Sequence, residues 1–335
     1  MRTIVVYVVI SSAEDIYFEQ VWASAWSLKH YNPNAHVLVL TDDETKSTIN
    51  AEGRKASLNC IDEVQAVSFD GEYSKREKSR WIKTNMRNLV KGDFLFIDAD
   101  TIITGKLDDV DNWSCSIGAV LDSHCHSNEI SDTIPFQDMY INRLRNVFGV
   151  SYQGDDVFNS GVLYVKDDET AHHFFDVWHK NWMYSNSQGY HVDQLPLLKT
   201  NIELGQVIEE IPGEYNCQIR FSIQYLTKAI ILHTFASQED SKLSIILGPE
   251  IYKEIKKEHC ITERVKRILL NCKDSFSSPS YLIDKKWMKL RFQPAFELVN
   301  QVIDTDNCFY KFSLSFINFI ARTMMFILRH LNITK

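Results

Sequence analysis

The 335-residue chain has no C-x-x-C pair, no internal repeat of fixed period and no low-complexity tract. It also has no uncharged run that approaches the roughly 18 apolar residues a membrane-spanning helix needs. Its seven cysteines are odd in number and lack paired spacing, so neither a disulfide framework nor a zinc ribbon is suggested, and a reduced, cytosolic setting fits. Positive charge is not in surplus: the net charge of −8 argues against nucleic acid as a general partner, because such binding needs a basic footprint. The opening stretch, MRTIVVYVVISSAED, lacks a small-residue cleavage site and reads as a first strand rather than a secretory leader.

What is present is an apolar fraction of 44% and an aromatic fraction of 12%, enough to bury a substantial core. Charge is unevenly spread. From Lys285 onward there are 8 Lys or Arg against 3 Asp or Glu, net +5, which leaves −13 on the first 284 residues. With the change to a helical, basic pattern beyond Gly248, the chain divides into a body of residues 1–248 and an extension of residues 249–335.

Along the body, short Val- and Ile-rich runs alternate with amphipathic stretches. RTIVVYVVI is followed by a helical pattern ending at Asn32-Pro33, then by HVLVLTDD, a polar helix, a strand near EVQAV and a helix over KREKSRWIKTNMRNLV. That alternation predicts an α/β fold, a mainly parallel sheet flanked by helices, with ligands at the carboxyl ends of its strands. FLFIDADTIITGKL places Asp98 and Asp100 at such an end. Two carboxylates there need a partner, since a buried unpaired charge is costly. The residues alone leave three readings: a divalent cation site for a phosphorylated substrate, an aspartyl nucleophile with its acid, or a capped turn. Later come IGAVLD, ending at Asp122, then DVFNSGVLYVK, in which Gly161 signals a bulge or a close backbone approach, then HVDQLPLL, then KAIILHTF.

The order FLFIDADTIITGKLDDV, FNSGVLYV, VDQLPLL, ILHTF, following strand-helix-strand units, resembles the nucleotide-diphospho-sugar glycosyltransferases of the GT-A fold, and most closely glycosyltransferase family eight. The resemblance spans residues 3 to 240. It implies a hexosyltransferase that retains the anomeric configuration, uses Mn2+ or Mg2+, and moves a sugar from a nucleotide diphosphate, expected to be UDP, to a saccharide or glycolipid acceptor. By position it implies Asp98, Asp100 and His233 as metal ligands, with Ala99 between the two acids. Ser11, Ser12 and Tyr17 fall where the nucleoside is held, and Arg80 and Lys83 where the diphosphate and sugar are reached. Asp122 matches an acid that binds sugar hydroxyls, Asn159, Ser160 and Gly161 the segment beside the donor sugar, and Asp193 and Gln194 the pair on the reacting face. Plainer structural readings exist for several: a helix cap for the serines, a solvated helix face for Arg80 and Lys83, a core histidine for His233. The family's His-x-x-Gly-x-x-Lys-Pro-Trp motif departs here to HTFASQEDSK, with Ala236 and Glu239 at the Gly and Lys positions and Lys242 nearby.

Two other functions fit parts of the pattern. A phosphatase of the haloacid dehalogenase type also carries a strand-end D-x-D, but normally near the amino terminus and with a later acidic pair after an apolar run, whereas here three strand-helix units precede the motif and Asp155 and Asp156 follow the polar SYQG. A non-catalytic sugar-nucleotide-binding protein would tolerate the altered His motif. The tail, with KKWMKLRFQPAF and CFYKFSLSFINFIARTMMFILRHLNITK, mixes bases with aromatics. It predicts an interfacial helix on an anionic membrane, placing a cytoplasmic protein at the inner face, or else a helix packed on the body. The oligomeric state has no sequence signature.

Overall fold

A computed structural model describes residues 1–222, 224–235 and 248–273, together with 293, 296, 312–313, 315–320 and 322–324. The elements in chain order are β1 (Ile4–Val8), α1 (Tyr17–Tyr31), β2 (Val37–Thr41), α2 (Asp43–Asn50), β3 (Glu63–Ala66), α3 (Lys75–Leu89), β4 (Phe94–Ile97), β5 (Thr101–Ile103) and β6 (Ile117–Leu121). Short helical turns α4 (Ser127–Ile130) and α5 (Ile134–Phe136) and a π-helical turn (Gln137–Ile141) lead into α6 (Asn142–Phe148). Then follow β7 (Phe158–Val165), α7 (Glu169–Ser187), α8 (Gln194–Glu203), β8 (Ile208–Glu210), β9 (Cys217–Gln218), β10 (Ile231–His233), α9 (Pro249–Glu258) and α10 (Glu263–Leu270).

Seven strands form the main sheet in the order β3-β2-β1-β4-β7-β6-β8. All run parallel except β7, which is antiparallel to both β4 and β6. The mixed, mainly parallel α/β sheet expected from the sequence is therefore present. β1, β2 and β4 are near-continuous apolar runs because helices cover both faces. On one face, α1, α9 and α10 pack with a small second sheet of order β5-β10-β9; on the other lie α3, α7 and α8. α9 and α10 follow the boundary read at residue 248, and they bury Ile251, Tyr252, Ile255, Val265 and Leu269 in the same cluster as Val21, Trp22 and Leu28 of α1.

α3 opens with a capping box between Ser74 and Glu77. Satisfying two of its orphan amide donors fixes the helix start, and typically contributes about 1 kcal/mol. Spacings of three and four then place Arg80, Lys83 and Arg87 along one side, where Lys83 and Arg87 are buried at 2% and 1% exposure. An amphipathic helix with cations on its inner face needs buried acids opposite.

Candidate active site

β4 stops at Ile97, and the three residues Asp98-Ala99-Asp100 carry the chain from the main sheet into β5 of the small one. Their backbone is held from both sides. The amide of Asp98 donates to the Gly161 carbonyl at 2.8 Å, and the amide of Thr234 donates to the Asp100 carbonyl at 2.9 Å. β10 thereby delivers His233 beside the acids: Nε2 lies 3.4 Å from Asp100 Oδ1. One ligand atom from each of Asp98, Asp100 and His233 falls within 4.8 Å of the others.

The ring of His233 occupies the space a side chain would need at Gly161, where a Cβ would stand 2.4 Å from Cε1. This is the close approach that the glycine in β7 signalled. Asn159, two residues earlier, has a fixed amide, because its Oδ1 accepts the Gly161 backbone N–H at 2.9 Å. Its Nδ2 then donates to Asp122 Oδ1 at 2.9 Å. The Tyr140 hydroxyl donates to the other Asp122 oxygen at 2.8 Å. Desolvation nevertheless raises the Asp122 carboxyl above its ordinary value, against these two donors.

On the far side of the D-x-D, Lys83 Nζ lies 2.9 Å from Asp193 Oδ2, 3.3 Å from Asp98 Oδ1 and 3.2 Å from Ser160 Oγ, over the ring of Phe96. Arg80 Nε is 2.8 Å from the other Asp193 oxygen. Asp193 sits at the N-cap of α8 yet makes no cap hydrogen bond, because its carboxylate is turned to the two cations and to Ser160 Oγ. Desolvation opposes its ionisation, and Lys83 and Arg80 outweigh that, holding it well below the usual carboxylate range. Asp193 in turn raises Arg80. Asp98 moves the other way: desolvation pushes it up more than Lys83 pulls it down. For Asp100 desolvation also resists ionisation, but the adjacent His233 prevails and keeps it low. Gln194 is committed to β7, its Oε1 accepting from the Ser160 amide at 3.1 Å and its Nε2 donating to the Phe158 carbonyl.

A cleft of about 500 Å³ opens over these groups, lined among others by Tyr17, Lys75, Arg76, Arg80, Asp98 and Asp100. Ala99 also lines it, and Tyr17 is 38% exposed. Ser11 and Ser12 directly follow Ile10, which lines the cleft. Both are buried, and their hydroxyls bond to Asp15, while Ser11 Oγ also accepts from the Phe18 amide at 3.3 Å. Those bonds lock the loop between β1 and α1. Asp155 and Asp156 are likewise engaged away from the D-x-D, with Gln206 and with His126 and the Ser127 amide. Ala236, Glu239 and Lys242 lie outside the described residues.

Sequence reasoning missed three residues beside this group. Asn216, fully buried, joins Asn159 to His233; Tyr140 holds Asp122; and Tyr252 of α9, also buried, bonds Thr234 next to His233. A single buried polar residue in an irregular segment leaves no periodic trace, so only the π-helical turn bearing Tyr140 belongs to a class of feature enriched at functional sites.

The architecture matches 190 solved protein chains. Over 79% of this chain, at 14% identity and a TM-score of 0.50, it superposes on 99% of the galactosyltransferase LgtC, solved in complex with donor and acceptor sugar analogs. The bifunctional glycosyltransferase WbbM aligns with 79% of the chain at 14% identity and a TM-score of 0.51, over 51% of its own length. The chain has the GT-A fold. The GT-A fold that the sequence resemblance implied is therefore the fold observed. The glycosyltransferase GlyE of Streptococcus pneumoniae TIGR4 aligns at 19% identity and a TM-score of 0.44, with 80% of this chain covering 63% of GlyE. The chain therefore spans less than two thirds of the GlyE structures it matches. No protein-family model matches the sequence, and no curated protein does.

Proposed function

We propose that the protein is a metal-dependent glycosyltransferase that moves a hexose from a nucleotide diphosphate sugar, UDP-linked, to a saccharide or lipid-linked acceptor with retention of configuration. One observation carries the reading: two carboxylates and an imidazole converge within 4.8 Å, and the two carboxylates line a cleft that Lys75, Arg76 and Arg80 also line. Two hard oxygens and one imidazole nitrogen suit Mn2+ or Mg2+. Asp98, Asp100 and His233 would hold the ion, which supplies Lewis-acid neutralisation of the leaving diphosphate when bound.

The chain's own residues account for the remainder. Arg80 presents a guanidinium to the cleft, already oriented by Asp193, and so offers positive charge where the diphosphate separates. Lys75 and Arg76, at the start of the same helix, add to that charge. Asp122, gripped by Asn159 and Tyr140, accepts hydrogen bonds from sugar hydroxyls. Ser160 and Gly161 supply backbone beside the sugar. Asp193 and Gln194 line the reacting face; Asp193 stays ionised and steadies positive charge developing on the anomeric carbon.

The basic extension is proposed to dock on an anionic membrane from the cytoplasmic side. In its described helical residues Phe312, Phe316, Phe319, Ile320 and Met324 are 41 to 72% exposed, and they recur at helical spacing with Arg322 off that stripe. No helix among the described residues is long and apolar enough to cross a membrane.

The test is thermal stabilisation by UDP, GDP and their sugars, with and without Mn2+, followed by donor hydrolysis. A ligand at 100 times its Kd should add about 2.7 kcal/mol to the native state. Mn2+-dependent stabilisation by one nucleotide together with Mn2+-dependent hydrolysis of its sugar is the expected result. Proton NMR of the first-formed sugar product should find the donor's anomer. Nucleotide binding with no hydrolysis under any metal would instead identify a sugar-nucleotide-binding protein, and no nucleotide binding would overturn the proposal.

A further inference from the structure

We propose that Asn216 is a positioning residue that fixes which nitrogen of His233 is offered to the cation; the inference rests on the metal-site reading above. Its argument begins at a backbone amide, whose polarity is not in question. The Gly161 N–H points at Asn159 at 2.9 Å, so the atom it meets must be the Asn159 carbonyl oxygen. That same oxygen is 2.9 Å from the Asn216 amide, so the Asn216 atom facing it must be the NH2 group. The Asn216 carbonyl oxygen is then the atom turned to His233 Nδ1, 3.0 Å away. An amide oxygen only accepts, so Nδ1 carries the proton and donates. Nε2 is the nitrogen that remains to coordinate, and it faces Asp100 Oδ1 at 3.4 Å.

Neither Asn216 nor its surroundings leave another solution. Asn216 is 0% exposed, so no solvent competes for its amide. The chain of bonds also runs on from Asn159 to Asp122, tying the cation ligand to the acid assigned to the donor sugar through two buried asparagines, Asn216 and Asn159. A partner for the non-coordinating nitrogen is the usual device by which proteins set the tautomer and ring angle of a metal-binding histidine, and its loss typically weakens metal affinity roughly 10- to 100-fold.

The experiment compares the full-length wild type with Asn216→Ala and Asn216→Asp, with Mn2+ as the only ligand. Asp keeps an acceptor for Nδ1 but loses the donor to Asn159; Ala loses both. Mn2+ affinity is read from the electron paramagnetic resonance of free Mn2+, and the Nδ1 proton from long-range 1H–15N NMR of the metal-free protein. Asn216→Ala should bind Mn2+ at least roughly tenfold more weakly and lose the Nδ1 proton in part of the population. Asn216→Asp should retain both within about threefold, a rescue that simple loss of packing would not produce. Thermal unfolding of each variant identifies any that fail to fold, in which case the wild-type NMR decides: a proton on Nδ1 sustains the assignment, and a bare Nδ1 overturns it. Wild-type Mn2+ binding that Asn216→Ala leaves undiminished overturns the role of Asn216 alone. No Mn2+ binding by the wild type overturns the metal reading and this inference with it.

Discussion

Replacing Lys83 with methionine keeps the shape of the side chain and removes one buried charge that two acids share. Lys83 is 2% exposed, and its ammonium lies 2.9 Å from Asp193 and 3.3 Å from Asp98. Removing one partner from a buried ion pair costs about 3–5 kcal/mol, because the other charge stays in place without compensation. Asp193 keeps Arg80 at 2.8 Å, so the larger exposure to loss falls on Asp98. Asp98 is already raised in the folded state by desolvation, with Lys83 the leading influence that pulls it down. A carboxyl raised on folding binds more protons in the native state, so stability falls as pH rises from the unfolded value of about 3.9 through the folded one. Without Lys83 the folded value climbs further and the decline should reach to higher pH. Asp193, held low, adds a contribution that is constant above about pH 4 and lost only below it, so it does not mask the trend. Urea unfolding of the metal-free protein from pH 5 to 8 measures both. The expected result is a loss of about 3 kcal/mol or more at pH 8 that shrinks toward pH 5. A loss under about 1 kcal/mol, or one that grows on acidification, would refute the reasoning.

Three further outcomes follow from named contacts. Gly161→Ala places a methyl 2.4 Å from the His233 ring, so it should cost about 1–3 kcal/mol in stability and weaken Mn2+ binding, both read by titration and thermal unfolding. Gln194→Ala frees the Ser160 amide and the Phe158 carbonyl beside the reacting face, and should lower turnover more than donor affinity; equal loss in both would make it an ordinary binding residue. Deleting residues 285–335 should release the protein from anionic liposomes and spare donor hydrolysis, whereas deletion from residue 248 removes Tyr252 and Ile255 from the core and should unfold it, as circular dichroism would report.

The D-x-D was legible because a run of four apolar residues cannot end on two acids without consequence, and Gly161 because a strand interior rarely tolerates glycine without a close neighbour. The sheet's composition was legible from alternating periods, but the reversal of β7 was not: strand direction depends on the path of a long connection through α4 to α6, which has no period of its own. Arg80 and Lys83 could be placed on α3 but not aimed, since the same spacing describes a solvated face. Their shared partner is Asp193, which arrives from a helix start more than a hundred residues later. Ser11 and Ser12 show the converse, a polar pair whose hydroxyls turn to Asp15 of the same loop. Asn216 could not be found at all, because what distinguishes it is the orientation of its neighbours rather than its own identity.

The ammonium of Lys256 on α9 holds the Asp15 carbonyl, a contact between residues separated by 241 positions. At about 5–20 residues per second, a ribosome takes roughly 12 to 48 s to supply the second partner after the first. Throughout that interval the loop that rims the cleft waits without its clamp, and Tyr252 has not yet reached Thr234. The loop that rims the cleft therefore gains the Lys256 bond only once α9 has been made, while Lys75 of α3 can hold the Asp15 carboxylate much earlier.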